Sequence, residues 1–412
     1  MIRLAWAYPE SGVPKYGLQP VYYYLSREQA RQGYDVHVIT KASDSRASVE
    51  TFDGVTVHRI PKHFSLNAYR MVRELSKGDS DSIIHTHATC GVQIGPLKQT
   101  IGLPLVSQVH GCSHSAHMPT TLSFGKYEFK NSLRQNLYRY LRERALWSRA
   151  DRILAVSESV KSDLGLAYDI PPGRVDVVGN GVDTRMFRPL QGFEPPERLR
   201  DLQDKRIVLY VGHFGLRKGV VFLIRAMKKV ISEVPDAVLV CVGGVPEWLG
   251  KTDYWGYLRQ SVSESGLDGK VLLLDKVPNA ELPRYYSMAD VFVLPSYYEA
   301  FAKVLIEAMA CAKPVVVTRG GGPSELVANE ESALLVDYGS VEQLANAVIR
   351  TLEDKKLGWK LGRNAMKIVA SSYTWGAVAK RITESYSCVL LARRDLLSLY
   401  EHRTREAAET HS

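Results

Sequence analysis

Short apolar runs rich in Val, Ile and Leu alternate with stretches of helical periodicity along almost the whole chain. The runs predict strands at 2–8, 35–40, 55–60, 82–87, 104–109, 151–157 and 174–178. Helices are predicted between them near 17–32, 66–77, 92–101, 127–149 and 158–165. A second series of strands follows at 207–212, 237–242, 271–274, 291–294 and 314–318, again with helices between. Alternation at this spacing selects an α/β chain with parallel sheets, because parallel neighbours need a crossover and the crossover helices cover both faces. The first run leads straight into Pro9 and Glu10 and reads as a strand, not a signal peptide.

The two series are separated by Asn180-Gly181-Val182-Asp183, a turn signal, and by a Pro- and Gly-rich stretch at 188–196. The sequence therefore predicts two doubly wound, Rossmann-like parallel-sheet domains of similar size, at 1–185 and 205–375. A linker at 186–204 joins them, and a C-terminal helix and tail occupy 376–412. With 412 residues and 45% hydrophobic composition, the chain has enough apolar mass for more than one core. Disordered, collagen-like and small disulfide-stapled classes are excluded. No apolar run approaches the roughly 18–20 residues of a membrane-spanning helix.

Cys90, Cys112, Cys241, Cys311 and Cys388 are odd in number and widely spaced, which fits free thiols in a reducing, cytoplasmic setting and offers no zinc framework. The net charge of +9 suits a polyanionic partner: a nucleotide diphosphate, an anionic membrane or nucleic acid. The basic residues are dispersed and no nucleic-acid recognition module is present, so nucleic acid is not expected.

Open α/β sheets bind ligands beyond the carboxyl ends of their strands, and two facing sheets place the default site in the cleft between them. The loop from Pro295 into a helix starting near Ala302 carries Glu299, with Glu307 inside the helix among Val304, Leu305, Ala308 and Met309. A carboxylate on so apolar a helix needs a partner, either a ligand or Lys303 one turn earlier. In 210–219, Arg217 and Lys218 stand at a helix N-terminus, where the dipole disfavours cations; a diphosphate would explain them, a solvated surface pair being the alternative. Ser11-Gly12-Val13-Pro14 follows the first strand and either lets a ligand approach the backbone or forms a plain turn; it is not a dinucleotide fingerprint. His110 follows the strand ending at Val109, with His85, His87, His114, His117 and Cys112 nearby. Their spacing does not support a metal site. His110 is read as facing a sugar, and His114 and His117 either as packing or as surface residues. Gly320-Gly321-Gly322 either turns backbone amides toward a ligand or makes a tight structural turn.

In order and spacing these motifs resemble the retaining glycosyltransferases of the GT-B fold, family 4 or glycosyl transferases group 1, over nearly the whole chain. The carriers are Glu299 through Glu307, Arg217-Lys218-Gly219, Asn180-Gly181-Val182-Asp183 with Phe187, the Ser11–Tyr16 loop, the strands at 150–157 and 289–296, and Tyr373-Thr374-Trp375. The resemblance implies a C-terminal helix that crosses back onto an acceptor-binding first domain, with donor binding in the second. It implies His110 and Glu299 as catalytic residues near the transferred sugar. It assigns Glu307 to the donor ribose, Lys218 and Arg217 to the diphosphate, backbone around Phe301, Ala302 and Lys303 to sugar hydroxyls, and Gly12 to the phosphates. His213 stands where the family commonly has arginine, Ser11 and Ala302 where it commonly has glycine. A nucleotide-diphosphate sugar such as a UDP-sugar would be co-substrate, a hydroxyl acceptor its partner, and no metal or other cofactor would be required. The acceptor would attack the face that the diphosphate leaves, in a hexosyl- or N-acetylhexosaminyl-transfer. A non-catalytic sugar-nucleotide-binding protein and a GT-B phosphorylase or epimerase are the alternatives. The basic stretch 126–152, interleaved with Leu137, Tyr138 and Leu141, suits either a solvated domain helix or peripheral contact with an anionic membrane. The tail beyond about 392 reads as a helical extension, a dimer contact or a frayed end.

Overall fold

Strands buried on both faces must be covered by helices on each side. The computed structural model meets that demand twice. It describes all residues except 6, 10–17, 43–47, 78–80, 91, 93, 116–120, 125–126, 131–132, 246–253 and 410–412, and the backbone alone at 65, 96–97, 99, 121–124, 127–130, 133–136 and 396–409. In the first half, strands β1 (Ile2–Ala5), β2 (Val36–Lys41), β3 (Ser48–Phe52), β4 (Val55–Ile60), β5 (Ile84–His87), β6 (Leu105–Val109), β7 (Thr121–Phe124), β8 (Tyr127–Lys130), β9 (Arg152–Ala155) and β10 (Val175–Val177) are linked through helices α1 (Gln19–Arg31), α2 (Phe64–Leu75), α3 (Ile94–Ile101), α4 (Leu133–Trp147) and α5 (Glu158–Tyr168). Eight of these strands make one sheet in the order β10-β9-β6-β5-β1-β2-β4-β3, and β7-β8 is a separate antiparallel hairpin.

The second half contains β11 (Arg206–Val211), β12 (Ala237–Val242), β13 (Val271–Leu274), β14 (Val291–Leu294), β15 (Val315–Thr318) and β16 (Leu334–Val336). Around them lie α6 (Val220–Glu233), α7 (Tyr254–Glu264), α8 (Leu282–Met288), α9 (Lys303–Ala310), α10 (Gly321–Glu325), α11 (Val341–Glu353) and α12 (Lys355–Ser372). Its six parallel strands run β13-β12-β11-β14-β15-β16. Strand order reverses between β1 and β5 in the first sheet and between β11 and β14 in the second. A crevice opens at the carboxyl ends of such switch points.

The last helix, α13 (Trp375–Glu409), leaves the second half and returns to the first. Its Val378, Ala379, Ile382 and Tyr386 join the core under β1 and α1, and Trp375 stacks on Tyr24 at 5.6 Å. Arg381 staples the return, donating to the carbonyls of Val178 at 2.8 Å and Ser372 at 2.7 Å.

Several boundaries differ from the sequence expectation. The helix predicted from 127 starts at Leu133, because 121–130 is spent on the β7-β8 hairpin. The first strand ends at Ala5 instead of 8. The strand predicted to 157 ends at Ala155, since Ser157 caps α5 by accepting from the Val160 amide at 3.2 Å. The edge strand β3 was not predicted: Ser-Val-Glu-Thr-Phe is largely exposed and pairs antiparallel with β4, so it lacks an apolar run. Among the described residues no helix is long and apolar enough to cross a membrane.

Candidate active site

The β11 and β14 loops lie against each other at the switch point. After β11 the chain makes a short 3₁₀ turn, Leu216–Lys218, and enters α6 through Gly219. Gly219 has φ +68°, and a β carbon there would stand 2.0 Å from the Pro295 carbonyl oxygen. No side chain is tolerated, so the basic turn sits directly on the β14 loop. Arg217 Nη1 donates to the Tyr298 carbonyl at 2.9 Å, and the Tyr297 amide donates to the Arg217 carbonyl at 2.8 Å. The pair is thus not a solvated surface pair. Arg217 braces the loop, while Lys218 Nζ donates to Glu299 Oε1.

Glu299 also accepts from Ser296 Oγ at 3.1 Å. Burial alone would raise its pKa, but the charges of Lys218 and Arg217 outweigh it and hold the carboxyl below its ordinary range. Glu299 is therefore an anion at neutral pH. Ala302 is buried and forms the α9 N-cap without a side-chain bond, so the first amides of α9 have no side-chain cap. Glu307, a turn inside α9, accepts from the Tyr286 hydroxyl at 3.0 Å. Burial raises its pKa, opposed by Lys303 and by the Tyr286 bond. Burial lowers that of Lys303, opposed by Glu307. The half-buried acid thus has a hydroxyl partner on α8 as well as a lysine neighbour.

His110 enters from the first half, at the end of β6. Burial and the charge of Lys303 push its pKa down to about 3, so it is neutral at physiological pH. The close approach of Gly111 to Ala300 places the two halves face to face across the cleft. A β carbon on Gly111 would lie 3.5 Å from Ala300 Cβ. His213 is exposed, with its pKa lowered by partial burial and by Lys218 and Lys276. The Phe301 ring packs against Tyr373 at 5.9 Å and touches the cores of both halves. Gly12 and His117 lie outside the described residues. His114 packs on Tyr140 at 5.0 Å. Among the described residues no cluster of His, Cys, Asp or Glu could hold a metal.

The three glycines make a structural turn. The Gly322 amide donates to the Glu299 carbonyl at 2.9 Å, and a β carbon at Gly322 would stand 2.2 Å from the Ala300 oxygen.

Residues 195–368 match the family described as Glycosyl transferases group 1, and residues 16–186 match Glycosyltransferase Family 4. The chain belongs to the group 1 glycosyltransferases. A D-inositol 3-phosphate glycosyltransferase of Segniliparus rotundus is 28% identical over 93% of this chain and 87% of its own. An uncharacterized glycosyltransferase of Methanocaldococcus jannaschii is 29% identical over 89% of this chain and 93% of its own. Among solved structures, sucrose-phosphate synthase from Thermosynechococcus elongatus superposes with a TM-score of 0.73 at 25% identity, covering 95% of this chain and 99% of the other. Anabaena HepE, solved with UDP and glucose, superposes with a TM-score of 0.68 at 20% identity, covering 94% and 99%. The fold is GT-B.

In this glycosyltransferase, sequence reasoning missed the bonds that join the two halves beside the site. Glu325 of α10 accepts from the amides of Glu158 at 2.7 Å and Ser159 at 2.8 Å, capping α5 from across the cleft. The Tyr298 hydroxyl donates to the buried Asp163 of α5 at 2.8 Å. A buried acid inside a predicted helix was the one signal for these contacts.

Proposed function

We propose that this glycosyltransferase moves a sugar from a UDP-sugar to a hydroxyl acceptor, with retention at the anomeric carbon and without a metal. The observation that carries the reading is Lys218 paired with Glu299 at the carboxyl ends of β11 and β14. Cleaving the glycosidic bond builds negative charge on the departing diphosphate. Lys218, at the turn that enters α6 and paired with Glu299, neutralises that charge, assisted by Arg217 and by Gly12 from the first domain. Glu299, kept ionised, orients the transferred sugar. Amides at Phe301, Ala302 and Lys303 take its hydroxyls, and neutral His110 lies beside the reacting carbon. Glu307 accepts from the ribose hydroxyls, and His213 flanks the diphosphate as a short polar group. HepE was solved with UDP and glucose, which supports uracil as the base. The acceptor falls to first-domain loops near 61–70 and 110–130.

Leu137, Tyr138 and Leu141 are exposed on one face of α4 beside Arg139 and Arg142. That stripe supports peripheral contact with an anionic membrane from the cytoplasmic side. The five free thiols suit that compartment.

Incubation with UDP-, GDP-, ADP- and dTDP-sugars and a panel of hydroxyl acceptors, with and without EDTA, tests the reading. The expected result is acceptor-dependent release of UDP that survives chelation, with a product whose anomer matches the donor by NMR. Donor turnover that needs no acceptor, or an inverted linkage, contradicts it.

A further inference from the structure

Behind His110, the first sheet buries two more imidazoles, His85 and His87, both fully inaccessible on β5. Their rings stack at 4.4 Å, 17° from parallel, and the edge of Tyr22 closes on His87 at 4.7 Å. His85 Nδ1 is bonded to the Tyr386 hydroxyl of α13. His87 lies 10° from parallel with His110 at 5.5 Å, and His87 Nδ1 is 3.2 Å from His110 Nε2. His87 is therefore clamped on several sides and bonded to His110, the histidine that ends β6 at the cleft.

Burial disfavours the imidazolium form in all three rings, Arg3 opposes it further at His85 and His87, and Lys303 does so at His110. A neutral imidazole carries one proton, so one nitrogen of the His87–His110 bond donates and the other accepts. Among the described residues His87 Nε2 and His110 Nδ1 are buried with no hydrogen-bond partner. If His110 donated, His87 would bear its proton on Nε2, sealed in the core with no acceptor. Orphaned buried N–H groups are rarer than orphaned lone pairs. If His87 donates, the core retains only a lone pair, near the buried Arg3 cation. The leftover N–H then belongs to His110, which is only half-buried at the cleft whereas His87 is fully inaccessible, so a ligand entering the cleft is the acceptor that would satisfy it.

We infer that His87 is a positioning residue: its Nδ1–H fixes His110 as the Nδ1–H tautomer, so His110 presents a hydrogen-bond donor to an oxygen of the transferred sugar. The sugar assignment rests on the proposed function; the tautomer does not. Long-range ¹H–¹⁵N correlation spectra of the full chain labelled in histidine, assigned with a His110→Gln control, read the tautomer directly. The expected spectrum has a protonated His110 Nδ1 and an unprotonated Nε2 at neutral pH. His87→Phe should mix the two tautomers and lower kcat roughly tenfold with little change in donor KM. His87→Asn, whose amide N–H can replace Nδ1–H, should restore the tautomer and most of kcat. A wild-type His110 protonated on Nε2 overturns the inference, as does an unchanged His110 spectrum in His87→Phe. The spectra of wild type and His87→Asn decide the matter even if His87→Phe does not fold. An expected spectrum without sugar transfer would uphold the tautomer and defeat only the function on which the sugar assignment rests.

Discussion

Glu307, proposed to accept from the donor ribose, would serve binding at the expense of stability. Its folded-state pKa is raised, because burial outweighs Lys303 and the Tyr286 hydroxyl. A carboxyl whose pKa is higher folded than unfolded favours the fold most when protonated. Its stabilisation is present at acidic pH and lost as pH rises through the folded pKa. At neutral pH the half-buried charge is a net cost, which a pair of ribose hydroxyls would relieve. Glu307→Gln should therefore raise the ligand-free melting temperature by roughly 1–2 °C at pH 7 while flattening its change between pH 7 and 5. The same variant should weaken UDP binding about tenfold. Paired thermal melts and titrations check both halves; a lower melting temperature with unchanged affinity would deny the assignment. The glutamates were legible because their spacing on one strand–loop–helix unit is unusual for an apolar segment. Arg217 was legible as a charge but not as a brace, since its bond to the Tyr298 carbonyl joins positions 81 apart in sequence.

At the scale of elements, two contacts hold the halves together beside the site. Glu325 caps α5, and Tyr298 binds Asp163 within the same helix. Both come from segments that also touch the Glu299 backbone: Tyr298 precedes it in the chain, and Gly322 of α10 donates to its carbonyl. Tyr298→Phe removes a donor to a buried carboxylate, a loss of about 1.5–3 kcal/mol. Glu325→Ala removes a cap worth about 1 kcal/mol. Small-angle scattering should show a larger radius of gyration for the double variant than for wild type, returning toward the wild-type value with saturating UDP. Identical scattering for both proteins would show that these bonds do not set closure. Alternation of apolar runs located most strands of both sheets, because strands buried on both faces leave an unmistakable composition. It missed β3, whose residues are mostly exposed, the three-residue edge strand β16, too short to leave an apolar run, and the β7-β8 hairpin, whose polar sequence also suits a helix.

The whole molecule is two sheets that meet at their carboxyl ends, with α13 returning to the first so that its Tyr386 lies under β1 and β5. The cleft gathers charge from the second half and a neutral imidazole from the first, an arrangement suited to an anionic donor and a neutral hydroxyl. Away from the cleft, α4 exposes Leu137, Tyr138 and Leu141. Co-sedimentation with liposomes containing anionic lipid should recover the protein in the pellet, and neutral liposomes should leave it in the supernatant. Replacing the three side chains with serine should abolish the difference; equal recovery in all cases removes membrane contact from the account. The central claim is that Lys218, paired with Glu299, grips the diphosphate of a nucleotide sugar without a metal. Calorimetric titration of UDP into wild type and Lys218→Ala, both in EDTA, tests it most directly. Saturable binding by wild type, weakened at least about tenfold in the variant, is the predicted result. Equal affinity in the two proteins, or wild-type binding only when a divalent cation is restored, would contradict it.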